Sequence, residues 1–138
     1  MGKSIQPSVW GPYGWKFMHY VSFGYPDNPS IQDKQHYKNF YYSIQNILPC
    51  KRCQIHYQQN LNEIPIDNSL KDRESLIKWV IDIHNKVNKE TGKKEYDYEE
   101  AKQLYQGENT QLFNHCLKVI VLIIILYFVY IYLKKYSL

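Results

Sequence analysis

The amino-acid sequence predicts an all-α protein: a four-helix bundle with a short fifth helix, followed by a C-terminal transmembrane helix. Three observations predict it. Apolar residues recur at the three- and four-residue spacing of helices, and no stretch alternates as a β-strand would. Proline and glycine fall between those stretches, where they punctuate helices. Near the C-terminus the composition changes abruptly, and from Leu117 to Leu133 every residue but Lys118 is apolar or aromatic. With that tail set aside, about 110 of the 138 residues remain, enough for one core without staples.

In chain order, Trp10-Gly11-Pro12-Tyr13-Gly14-Trp15 reads as a turn-rich start, with Pro12 in the first turn of a helix that runs to about Gly24. Trp15, Met18, His19 and Ser22 share one face of it. Two prolines break the loop from Tyr25 to Ser30, and Ser30 can cap a second helix reaching about Leu48, with Phe40, Ile44 and Ile47 as its apolar side. A short third helix is expected from Lys51 to about Leu61, ending before the polar stretch from Asn62 to Ser69 that contains Pro65. Asp72 or Ser69 then caps a fourth helix that reaches Glu90, with Gly92 as its stop. Leu76, Ile77, Val80, Ile83, His84 and Val87 form a single stripe on it. His84 thus points inward with Asn88 one turn on, and buried polar groups of that kind need partners, since each costs roughly 1–3 kcal/mol unpaired.

Asp97 to Gln106 predicts the fifth helix, which closes a soluble domain over residues 1–106. A flexible linker is expected over 107–116, an anchor over 117–133 and a short tail over 134–138. The uncharged run from Val119 to Leu133 rises about 22 Å, short of a core of roughly 30 Å. Leu117 and the snorkelling stems of Lys118, Lys134 and Lys135 close most of the gap. A buried core helix is the poorer reading, because the run is apolar all round and too little protein is left to cover it.

Composition excludes several classes. Three cysteines are too few for a secreted disulfide scaffold. The positive charge is almost all lysine, scattered along the chain, with only Arg52 and Arg73 as arginines, which argues against a nucleic-acid footprint. Abundant Tyr, Ile, Asn and Lys with little Gly, Ala or Arg reads as an AT-rich genome. Met1 to Pro7 lacks an apolar core, so no secretory signal is expected, and Gln6 stands where a myristoylation motif after Gly2 wants Ser or Thr.

The chemistry lies in Leu48-Pro49-Cys50-Lys51-Arg52-Cys53. A C-x-x-C pair that opens a helix brings its sulfurs within bonding reach. The first thiol then lies near unsatisfied N–H groups that favour its thiolate, and Lys51 and Arg52 add positive charge. Thiolates attack disulfides, so a redox dithiol is one reading. His56 extends the pattern to C-x-x-C-x-x-H, so a zinc site is a second, and inert thiols are a third.

Taken together, Trp15 and His19 with Tyr25-Pro26, the C-x-x-C, Trp79, His84-Asn85-Lys86-Val87-Asn88 and Gly92-Lys93 resemble the Erv/ALR family of FAD-linked sulfhydryl oxidases. The likeness runs from about Gly11 to Tyr98. It implies a helical bundle that holds FAD with its flavin ring against the dithiol, Cys50 as the exposed interchange thiol and Cys53 as the flavin-proximal one. Trp15 and His19 would line the flavin. His84 and Asn88 would meet the adenine or ribose end, Lys93 the pyrophosphate, and Trp79 the adenine. Gly11, Gly14, Asn85 and Val87 fall in the same matched segments and are carried over as cofactor neighbours. Tyr42 is carried over too, in competition with Tyr37 and Tyr41. No metal is implied.

The chain also departs from the family. It reads Glu95-Tyr96-Asp97-Tyr98 where a further cysteine often completes a structural disulfide, and it has no second C-x-x-C as a shuttle. Cys116 stands alone at the membrane edge and reads as inert or acylated. A minimal enzyme of this kind looks most like those of large cytoplasmic DNA viruses. The expected reaction takes a client protein dithiol and oxygen to a client disulfide and hydrogen peroxide, with a thioredoxin-like carrier downstream. A homodimer is expected, from the family and from the aromatic first two helices.

Only five residues follow Leu133, so insertion after synthesis would leave the oxidase domain of a single-pass protein facing the cytosol, in a host membrane or virion if the chain is viral. The competing function is a membrane-anchored zinc-binding adaptor built on Cys50, Cys53, His56 and a further histidine such as His36 or His84.

Overall fold

The sequence folds into helices capped much as its polar punctuation dictates. A computed structural model describes residues 4–136, with side chains over 4–105 and 113–134. The features read at Met1 and Gly2, the end of the tail and the linker side chains over 107–112 lie outside the described residues. The described residues form five α-helices: α1 (Pro7–Phe23), α2 (Ile31–Ile47), α3 (Lys51–Glu63), α4 (Arg73–Glu90) and α5 (Tyr98–Tyr136), with a 3₁₀ turn at Ile66–Ser69. Packing divides the chain into two units, Met1–Tyr105 and Gln106–Leu138.

Ser30 caps α2 through a reciprocal box with Asp33: the Asp33 N–H donates to Ser30 Oγ at 3.1 Å, and the Ser30 N–H donates to the Asp33 carboxylate at 2.9 Å. Asp72, the predicted alternative to Ser69, caps α4 by accepting from the Ser75 N–H at 2.8 Å. Gly92 stops that helix at φ 67°, a left-handed conformation that only a residue without Cβ adopts at no cost.

Four expectations change. α1 begins at Pro7, so Pro12 lies inside the helix and not in its first turn, and the stretch from Trp10 to Trp15 is helical. Pro7 takes the first position, where its missing N–H is no loss. Gly11 has no Cβ to crowd the Pro12 ring, which lets the helix continue. Ile47 is 73% exposed, because α2 ends there and turns away from the core that Ile44 enters. The stretch after α3 is not a simple polar break, since Ile66 is fully buried by the 3₁₀ turn. Finally, α5 is helical through the segment expected to be a linker, whose residues lack a helix-breaking proline.

The core of the first unit is rich in aromatic residues whose polar tips end on backbone carbonyls. Tyr41 donates to Met18 O at 2.9 Å, Tyr25 to Leu70 O at 2.9 Å, and Trp79 Nε1 to Ile64 O at 2.8 Å. Each fills volume while its polar tip stays paired, and Tyr25 and Trp79 also tie down the ends of the 3₁₀ turn and α3. α4 sits at the centre and is buried more widely than one stripe. Leu76, Trp79, Val80 and Ile83 face the main core, while Ile77 and Ile81 pack on Ala101 with Phe23, Tyr96 and Tyr98. In the second unit Phe113–Lys134 is long and apolar enough to cross a membrane, with mean hydropathy 2.7 and none of it buried. At 1.5 Å per residue its 22 residues rise about 33 Å.

Candidate active site

Pro49 keeps α2 from continuing, and Cys50 takes extended geometry (φ −154°, ψ 112°) as the N-cap of α3. Its Sγ accepts from the Cys53 N–H at 3.2 Å, and the two cysteines are joined by a disulfide with their Cα atoms 5.2 Å apart. The turn is held from both sides. Gln54 Nε2 donates back to Leu48 O at 2.8 Å, and the Ile5 N–H donates to Pro49 O at 2.8 Å. Lys51 and Arg52 are exposed beside the sulfurs.

The disulfide opens on a cavity of about 770 Å³ between α1, the start of α3, the end of α4 and the first turns of α5. That volume falls within the roughly 300–1,000 Å³ of ligand sites. Of the residues expected at the cofactor, Gly11, Trp15, His84, Val87, Asn88 and Lys93 line it together with Cys50 and Cys53. Trp15 stacks on His84 with centroids 4.0 Å apart and planes 10° off parallel. His19 lies directly behind. Its Nε2 meets His84 Nδ1 at 3.0 Å, and its ring stacks on Tyr105 at 3.8 Å.

Burial holds both imidazoles neutral. His19 is lowered to about 3 by desolvation, then by His84, and His84 is lowered to about 4 by desolvation, then by Lys93. Burial likewise raises the Tyr105 phenol well above its ordinary value.

Four expected residues sit elsewhere. Trp79 is 2% exposed in the core, edge-on to Tyr41 and tied to Ile64. Tyr42 packs against the core from α2, with Lys38 Nζ 5.7 Å from its ring centroid. Gly14 faces the Trp10 ring, 3.4 Å from where a Cβ would stand. Asn85 clamps the backbone of Tyr96, donating to its carbonyl and accepting from its N–H, both at 2.8 Å. The clamp, with the Gly92 turn, brings Lys93 and Tyr96 back over the cavity.

Tyr105 and Tyr96 at the wall were not read from the sequence. The signal for Tyr105 was present, because Tyr98, Ala101 and Tyr105 follow helical spacing. Tyr96 lies in a turn, where periodicity says nothing.

The residues present fit an FAD. Asn88 Nδ2 and Tyr57 Oη are buried at this cavity without partners among the described residues, a pair of unsatisfied donors that a ligand rich in acceptors would fill. Stacked aromatic planes suit flat rings, and Lys93 suits a phosphate. The zinc adaptor has no such support. Its two thiols are spent on a disulfide, His56 faces the Glu90 carboxylate at 3.0 Å, and no group of three or more candidate ligands gathers among the described residues.

The Erv1/Alr family profile matches residues 12–106. A protein of Acanthamoeba polyphaga mimivirus named as an FAD-linked sulfhydryl oxidase is 50% identical over 98 residues, covering 70% of this chain and 68% of that one. One of Invertebrate iridescent virus 3, given the same activity by name, is 36% identical over 85 residues, covering 62% of this chain and 57% of its own length. The crystal structure of the yeast Erv1 core superposes with a TM-score of 0.70 at 26% identity, covering 77% of this chain and 88% of that one.

Proposed function

The chain belongs to the Erv1/Alr family and is an FAD-linked sulfhydryl oxidase, and from that premise we propose that it forms disulfides in client proteins at the expense of dioxygen. The observation that carries the reading is the shared cavity: one space is walled by the Cys50–Cys53 disulfide, the Trp15/His84 stack, Lys93 and the Asn88 Nδ2 that has no partner among the described residues.

A client thiolate attacks Cys50 Sγ, and the Cys50–Cys53 bond breaks with Cys53 leaving. The second client thiol then attacks the client sulfur of the mixed disulfide and releases Cys50. Two electrons pass from client to cysteine pair. Cys50, as N-cap, has the helix N–H groups to stabilise it as a leaving thiolate. The chemistry an FAD supplies when bound is acceptance of those two electrons and their transfer to dioxygen, with hydrogen peroxide as product. Trp15 and His84 would orient the ring system, Asn88 would donate to it and Lys93 would hold the pyrophosphate. The buried His19 and the half-buried Tyr105 stacked on it close the back of the cavity.

Residues 1–106 form the oxidase domain on this reading, residues 117–133 the membrane anchor, and the oxidase domain faces the cytosol. The viral relatives favour a place in a viral disulfide-forming pathway, with a thioredoxin-like carrier as client. Val9, Tyr13 and Phe17 expose an apolar stripe on α1, which supports a homodimer. Light scattering of the detergent-solubilised chain at twice the protein mass is the expected result.

The test of the activity is oxygen uptake by the purified chain supplied with dithiothreitol, at one oxygen per dithiol oxidised. Uptake no faster than without protein would sink it.

A further inference from the structure

The cavity has a second feature that the reaction above leaves unused. His56 lies three residues beyond Cys53, one turn along α3 and on the same face, and both line the cavity. Its Nδ1 is 3.0 Å from the carboxylate of Glu90, the last residue of α4, and each side chain is about a third exposed (36% and 34%). If Nδ1 carries its proton toward Glu90, Nε2 is left as a base, the arrangement in which a carboxylate orients a working histidine.

Resting on the oxidase reading, we propose that His56, oriented by Glu90, is the proton acceptor of the exchange step and holds Cys53 as a thiolate in the reduced enzyme. The step balances. Client dithiol and the Cys50–Cys53 disulfide become client disulfide, a Cys50 thiol and a Cys53 thiolate. The client's two electrons move to the cysteine pair. Of its two protons, one ends on Cys50 Sγ and the other on His56 Nε2.

The charges around His56 show why Glu90 is needed. α3 brings Arg52 to the cavity, the turn after α4 brings Lys93, and α4 itself brings the neutral His84 and Glu90. α1 contributes no charged group to the wall, and α5 contributes the phenol of Tyr105. Two cations favour a thiolate, and Glu90 is the one acidic side chain at the wall among the described residues.

The test is the pH profile of alkylation in the full-length chain in detergent, reduced anaerobically and pulsed with iodoacetamide. Tryptic cleavage after Lys51 and Arg52 separates Cys50 from Cys53, so mass spectrometry reads each thiol alone. Cys53 is expected to titrate below the ordinary thiol value of about 8.5. In His56→Gln its alkylation near pH 6.5 should fall about tenfold while the rate at pH 10 is unchanged, and Glu90→Gln, at an exposed helix end, should shift it the same way. A Cys53 midpoint that moves in neither variant, or a shift confined to Cys50, overturns the proposal. The readout needs no turnover. Normal oxidase activity with an unmoved profile defeats this assignment alone, and a shifted profile without activity defeats the oxidase reading alone.

Discussion

The ring of His19 on α1 meets that of His84 on α4 through a buried nitrogen-to-nitrogen hydrogen bond of 3.0 Å. One imidazole must donate and the other accept, so the pair cannot carry two protonated rings, and burial keeps both neutral. Flanked by Trp15 on one side and Tyr105 on the other, it joins α1, α4 and α5 at the back of the cavity.

That pair makes stability depend on acid. Both folded values are depressed, to about 3 and about 4, from 6.5, so the unfolded chain binds more protons in that interval. The contribution is complete above about pH 6.5 and is lost as pH falls toward 4. The melting temperature should hold steady above that point and drop below it, and His84→Gln should flatten the acid limb. An equally steep limb in the variant would contradict the assignment.

Asn88 tests the cofactor wall. Its Nδ2 lacks a partner among the described residues, so Asn88→Ala removes a group the protein itself leaves unsatisfied and should change the stability of the FAD-free chain little. Retention of FAD should weaken about five- to tenfold, the worth of one hydrogen bond of about 1 kcal/mol. Fluorescence titration of released flavin measures it, and an unchanged dissociation constant would move Asn88 out of the site.

Ile81 tests the second apolar cluster. It is 3% exposed against Ile77 and Ala101, where the chain has no cysteine to staple α5 to α4. Ile81→Ala should cost about 2–5 kcal/mol in denaturant unfolding. A loss under 1 kcal/mol would mean that the cluster does not hold α5.

Much of this was legible because helix punctuation is local chemistry. Ser30, Asp72 and Gly92 act within their own turns, so their positions fixed the second and fourth helices closely. The C-x-x-C and the H-N-x-V-N segment were legible as pattern. What escaped was long-range. Nothing in the spacing of α4 separates the side that packs on Ala101 from the one that packs on Tyr41. Nor does it tell that Asn85 clamps Tyr96 while Asn88 faces the cavity. Trp79 follows from the family match alone, and nothing in its spacing tells that its ring is 2% exposed against Tyr41.

The proposed cytosolic orientation has a direct test. Protease added to intact microsomes carrying the full-length chain should digest residues 1–112. Protection of that segment would place the oxidase domain in the lumen and overturn the cytosolic reading.

The central claim is that the Cys50–Cys53 pair delivers client electrons to a bound FAD, and anaerobic addition of dithiothreitol to the purified chain tests it most directly. The protein should be yellow as isolated and bleach at the flavin band, while Cys50→Ser and Cys53→Ser should bind flavin equally and stay yellow. A colourless protein, or variants that bleach as fast as the wild type, would contradict the account.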